Sequence, residues 1–114
     1  MSKLLPWFPV AAVMAVIFML SCIPGSSIPH LFSFQDIALH AIIYAVFGSF
    51  FSPALRSALP KISRRRAVLL TVVFCFLYGL SDEFHQIFVP GRTASFSDVM
   101  VDLAGGIIGV LLRK

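Results

Sequence analysis

Charged residues are scarce in this 114-residue chain: aspartate, glutamate, lysine and arginine together make up 12%, while 59% of residues are hydrophobic. That balance lies far outside the range of a soluble domain of this size and excludes an ordinary water-facing surface. Cysteine is also rare, with Cys22 and Cys75 alone. The spans assigned below put one near a membrane surface and the other near mid-bilayer. Their axial offset is roughly 10 Å at about 1.5 Å of rise per residue, more than a disulfide bridges. No nucleic-acid module accompanies the net charge of +4, so nucleic acid is not expected as a partner. At about 20 residues per crossing the length leaves no room for a separate soluble domain, and residues 1–114 read as one domain.

What is present is a series of apolar runs. Residues 4–23 are apolar except for Ser21, with Pro6 and Pro9 confined to the first turns and Trp7 at an interfacial position. Small residues after this run imitate a cleaved signal peptide, but losing it would strip a helix from a thin bundle, so the span is expected to be retained. Pro24-Gly25-Ser26-Ser27-Ile28-Pro29 then breaks the helix. A second span covers 36–51, is closed by Ser52-Pro53 and is slightly short for a bilayer. A third covers 67–87, followed by a tight turn at Val89-Pro90-Gly91-Arg92. The fourth covers 96–112, with Ser95 and Asp98 at capping-box spacing.

Basic residues predict the orientation. Lys3, Arg56, Lys61, Arg64, Arg65, Arg66, Arg113 and Lys114 fall on one side of such a four-span chain and Arg92 alone on the other. By the positive-inside rule both termini are cytoplasmic. The expected fold is therefore an all-α, four-helix transmembrane bundle with both ends inside, a multi-pass protein of a plasma membrane.

With that topology Asp36, Asp82, Glu83, Asp98 and Asp102, together with His30, His40 and His85, gather in the outer half. Helical spacing groups them further. Asp36, His40 and Tyr44 descend span two above Gly48, while Asp82, His85 and Gln86 share a face of span three. Glu83 points about 100° away from Asp82. Asp98 and Asp102 stack above Gly105, Gly106 and Gly109, a small-residue row that admits a neighbouring helix. Asp98 suits a helix N-terminus, and Asp36, His85 and Gln86 also suit an interface. His40 and Asp102 lie about one turn inside their spans, where an ionisable residue is by default functional. The expectation is a polar pocket lined by His40, Asp82, His85 and Asp102, with Glu83 and Arg92 at its rim.

The run from Tyr78 to Arg92, containing Asp82-Glu83-Phe84-His85-Gln86 and Pro90-Gly91-Arg92, is followed by Ser97-Asp98, Asp102, Gly105 or Gly106, and Gly109. It closely resembles the signature of the VanZ-like family, and Asp36, His40 and Tyr44 fit that family's second helix. Members often carry a lysine where Ile37 stands, which takes away a fixed salt partner for Asp36. They often carry an asparagine where Asp102 stands, so this chain adds a carboxylate. The resemblance implies a small bacterial membrane protein whose namesake is linked to low-level resistance to teicoplanin, a lipid-tailed glycopeptide antibiotic. It supplies a location and a phenotype, not a mechanism.

Two functional classes follow. One is an enzyme or lipid-modifying factor acting on a lipid-linked envelope component, with His85, Asp82, Glu83 and His40 as catalytic candidates. Arg92, Asp36, Tyr44, Gln86, Asp98 and Asp102 would bind, Arg92 being the natural anchor for a phosphate or carboxylate. The other is a non-catalytic module that holds a lipid or a partner membrane protein; self-association of so thin a bundle is also open. His40 and His85 with carboxylates would suit a divalent ion by ligand type. There is no His-Glu-x-x-His or cysteine pair, so no metal ligands are assigned and the cofactor stays unknown. A proton or ion pathway is disfavoured, because the spans are apolar below Tyr44, Asp82 and Asp102 apart from small hydroxyl residues such as Thr71.

Overall fold

The computed structural model describes residues 4–24, 35–91 and 96–112, except the side chain of Asp36. Arg92, His30, Ser95 and the Asp36 side chain therefore lie outside the described residues. Among those described there are four helices and no strand: α1 (Trp7–Cys22), α2 (Gln35–Ala58), α3 (Arg64–Gln86) and α4 (Phe96–Leu112). By length and composition α2 and α3 can each cross a membrane, while α1 is apolar but shorter.

Besides α1, which starts at Trp7 rather than at residue 4, two boundaries differ from the sequence expectation. Ser52-Pro53 does not close α2, which continues to Ala58 with Pro53 inside it. Proline removes one backbone donor, the partner of the carbonyl four residues earlier. Packing outweighs that loss, since Phe51, Ser52 and Ala54 on either side of Pro53 are all buried. The second difference is that α3 starts three residues before Ala67. Ser63 caps it, accepting from the Arg66 amide at 3.2 Å, so the three arginines form its exposed first turn. At the other end of α3, Gly91 takes φ 75°, as the second central position of a type II turn requires.

Contacts between helices fix their directions. Phe47 meets Tyr78 and Phe51 stacks on Phe74 at 4.6 Å, so α2 and α3 are antiparallel. Tyr78 donates to the Met14 carbonyl at 2.8 Å, and seven residues later His85 meets Ser21, which makes α1 and α3 parallel. Gly105 faces Ala41 and Gly109 faces Ala45, so α2 and α4 are parallel too. Directions thus alternate along the chain, with the start of α1 and the end of α4 at one end of the bundle. The backbones of α1 and α4 do not approach one another closely; each helix packs on α2 and α3.

The core inverts the soluble pattern. Phe47, Phe51, Phe74 and Tyr78 interlock between α2 and α3, and Trp7 adds an edge contact to Phe51 at 5.5 Å. Yet all four helices also present large apolar side chains outward, among them Phe18, Ile42, Leu77 and Ile108. So extensive an apolar exterior is rare on a water-soluble monomer.

The closest approach is between α2 and α4. A Cβ on Gly105 would lie 2.5 Å from the Ala41 carbonyl oxygen, and one on Gly109 would run into the Ala45 carbonyl. Backbone cannot move aside as a side chain can. Gly109→Val should therefore destabilise the bundle by about 2 kcal/mol or more, whereas Ile108→Val, on the exposed side of the same turn, should change little. Thermal unfolding in detergent micelles checks this; equal midpoints for the two variants would refute the close packing.

Candidate functional site

The buried stripe of α3 runs Ala67, Thr71, Cys75, Gly79, then Asp82, Glu83 and Gln86. Measured from Gly79 at about 100° per residue, Asp82 stands about 60° to one side, Glu83 about 40° to the other, and Gln86 nearly in line. Both carboxylates thus flank whatever faces Gly79. That group is Asp102 of α4, whose Oδ2 lies 3.0 Å from where a Gly79 Cβ would be. Glycine here leaves room for the carboxylate.

Asp102 belongs to the same stripe of α4 as Gly105, Gly106 and Gly109, the stripe laid against α2. One turn beyond the glycines, the α2 residue within reach is His40. Its Nδ1 lies 2.6 Å from Asp102 Oδ1. Asp102 is wholly buried, so this bond satisfies a group that would be expensive to leave alone. Its other oxygen, Oδ2, has no hydrogen-bond partner among the described residues.

Three helices therefore converge on one point. A ring nitrogen of His40 and one carboxylate oxygen each from Asp82, Glu83 and Asp102 all lie within 4.8 Å of one another. Asp82, Glu83 and Gln86 are buried. Tyr44, one turn further along α2, is buried as well, and its hydroxyl finds no hydrogen-bond partner among the described residues. Asp98 is half-buried in the first turn of α4. The described basic side chains, from Arg56 to Arg66, lie at the far end of α2 and α3.

His85 stands apart from this cluster. From Gly79 it is rotated about 120°, toward α1. There it stacks on Phe18 at 4.8 Å and its Nδ1 lies 2.7 Å from Ser21 Oγ. The Ser21 hydroxyl donates its one proton to the Phe18 carbonyl at 3.0 Å, so it accepts from Nδ1–H, and Nε2 is left facing Cys22 Sγ at 3.7 Å. The structure thus groups His40, Asp82 and Asp102 as the spacing suggests, places Glu83 inside rather than at the rim, and gives His85 different partners. Arg92 and the Asp36 side chain are outside the described residues. Sequence reasoning missed Ser21 and Cys22; the available signal was that Ser21 is the lone polar residue in an apolar run.

The His40–Asp102 pair makes an asymmetric prediction. His40→Ala would leave both Asp102 oxygens buried without the histidine and should lower stability by about 3 kcal/mol. Asp102→Asn keeps an acceptor for His40 and should lower it by about 1 kcal/mol. Reversible unfolding in mixed micelles measures both, and the opposite ordering would refute the pairing.

No curated protein gives a match to this sequence, and no solved structure does. A family model described as VanZ/LLP1 matches residues 6–114. That match covers nearly all of the chain, including every residue of the converging cluster, so this chain belongs to the VanZ/LLP1 family.

Proposed function

We propose that this chain is a four-span integral protein of the bacterial plasma membrane, with both termini cytoplasmic, whose outward polar cluster binds or acts on a lipid-linked component of the cell envelope. Family membership and two helices of membrane-crossing length support the membrane location. The exposed apolar side chains of α1 and α4 are the support for reading these shorter helices as spans too. The start of α1 and the end of α4 lie on the side of Arg56, Lys61 and Arg64–Arg66, and the positive-inside rule supports reading that side as cytoplasmic.

The observation that carries the functional proposal is the buried cluster of His40, Asp82, Glu83 and Asp102 at the opposite end. His40 and Asp102 lie about 8–9 Å along their helices from the nearer end, within reach of a headgroup at the bilayer surface. An imidazole held against carboxylates can exchange protons with a substrate. Altering or sequestering an exposed envelope lipid would change susceptibility to a lipid-tailed glycopeptide such as teicoplanin. The direct His40–Asp102 bond favours a second role, a non-catalytic holder of a lipid or partner membrane protein, because groups that satisfy one another also serve to fix helix register.

Orientation is testable with a reporter active only outside the cytoplasm. Fused after Lys114 it should be silent, and inserted near Ser26 it should be active; the reverse pattern would invert the site.

Activity is testable by mass spectrometry of envelope lipids and peptidoglycan precursors from cells with and without the protein. A lipid-linked species should appear or vanish, and Asp82→Asn at equal abundance should abolish the change together with any shift in teicoplanin susceptibility. Unchanged lipids with the susceptibility shift retained would favour the holder over the enzyme.

A further inference from the structure

We infer that His40, Asp82, Glu83 and Asp102 form a binding site for one divalent first-row transition-metal ion of the Mn2+ or Zn2+ kind. Nothing in this inference depends on which lipid is bound or whether any is turned over. The donor atoms lie within 4.8 Å of one another. Ligands at about 2.0–2.2 Å from an ion are separated by somewhat less than that, so small side-chain rotations close the shell. The donors come from three helices whose spacing is fixed by glycine contacts, and the site is therefore built into the packing. One imidazole nitrogen with three carboxylate oxygens suits Mn2+, Fe2+ or Zn2+ better than a thiol-seeking ion, and better than Ca2+, which favours all-oxygen shells.

A separate observation points to a missing ligand. Asp102 is 0% exposed and its Oδ2 has no hydrogen-bond partner among the described residues, although Oδ1 is held by His40. The Tyr44 hydroxyl is also fully buried and has no hydrogen-bond partner among the described residues. A structural His40–Asp102 hydrogen bond accounts for Oδ1 alone. It explains neither the unbonded oxygen nor the convergence of two further carboxylates on the same point, where like charges repel. A divalent cation satisfies Oδ2 and offsets that repulsion. It would also cross-link α2, α3 and α4.

The test uses the full chain, purified in detergent, stripped with chelator and titrated with Mn2+ and Zn2+, with Mg2+ and Ca2+ as contrasts. One Mn2+ or Zn2+ should bind per chain in the micromolar range or tighter, with nitrogen modulation from one imidazole in the pulsed electron paramagnetic resonance of bound Mn2+. Saturating metal should raise the unfolding temperature. Asp102→Asn and Glu83→Gln, each nearly isosteric, should weaken binding by about tenfold or more, while Ser81→Ala on the exposed side of α3 should bind as the parent does. Folded protein that binds no stoichiometric ion overturns the proposal. So does a bound ion without an imidazole signal, or one whose affinity neither carboxylate variant changes. Should both variants fail to fold, the parent protein's stoichiometry and imidazole signal decide. Envelope lipid profiles report separately on the lipid proposal, so either can fail without the other.

Discussion

The contact of α4 with α2 along glycine is the constraint on which the rest of the bundle depends. Gly48, Gly105 and Gly109 let the two backbones approach until a Cβ at any of these positions would meet a carbonyl oxygen on the facing helix. At that distance Asp102, one turn further along the same stripe, has nowhere to go except between α2 and α3. It reaches His40 on one side and Gly79 on the other. Bulkier residues would push the helices apart and dissolve a pair that needs 2.6 Å. In an apolar surrounding such packing supplies association energy that hydrophobic burial cannot, because lipid is as apolar as the side chains.

Burying Asp102 sets the requirements for its neighbours. A carboxylate without solvent needs donors or a cation, and the residues within reach are an imidazole and two more carboxylates. One part of the bundle is sealed by aromatic packing around Phe47 and Phe51, while the end remote from Arg56–Arg66 holds a polar cluster. Helix α1 contributes on the other flank. Two bonds seven residues apart, from Tyr78 to Met14 and from His85 to Ser21, keep it parallel to α3. They hold His85 against α1, away from Asp102. Among the described residues this end therefore contains two histidine environments, one among carboxylates and one beside a hydroxyl and a thiol.

Much of this was legible from residue order. Four apolar runs, the gathering of acids and histidines toward one end and the small-residue row of α4 all follow from position along a helix, which the rise per residue fixes. The pairing of His85 with Asp82 was a local inference from three-residue spacing, and it misjudged which face of α3 looks toward α4. Gly79 was the better reference. From it Asp82, Glu83 and Gln86 lie on the near side and His85 on the far side, though nothing in the sequence says that Gly79 rather than Leu80 faces Asp102. The stop at Pro53 failed for a related reason, since the lost hydrogen bond is local but the packing of Phe51, Ser52 and Ala54 that outweighs it is not.

By itself, the sequence determined the all-helical class, the position of each ionisable residue along its helix and membership of a family whose motif runs from Tyr78 to Arg92. These depend on periodicity and composition, which a single chain carries in its order. The tertiary structure decided which side chains meet. Azimuth between helices depends on how each is rotated against its neighbours, and that rotation comes from backbone contacts at Gly48, Gly105 and Gly109. For this reason the gathering of His40, Asp82, Glu83 and Asp102 at one point is a property of the packed bundle.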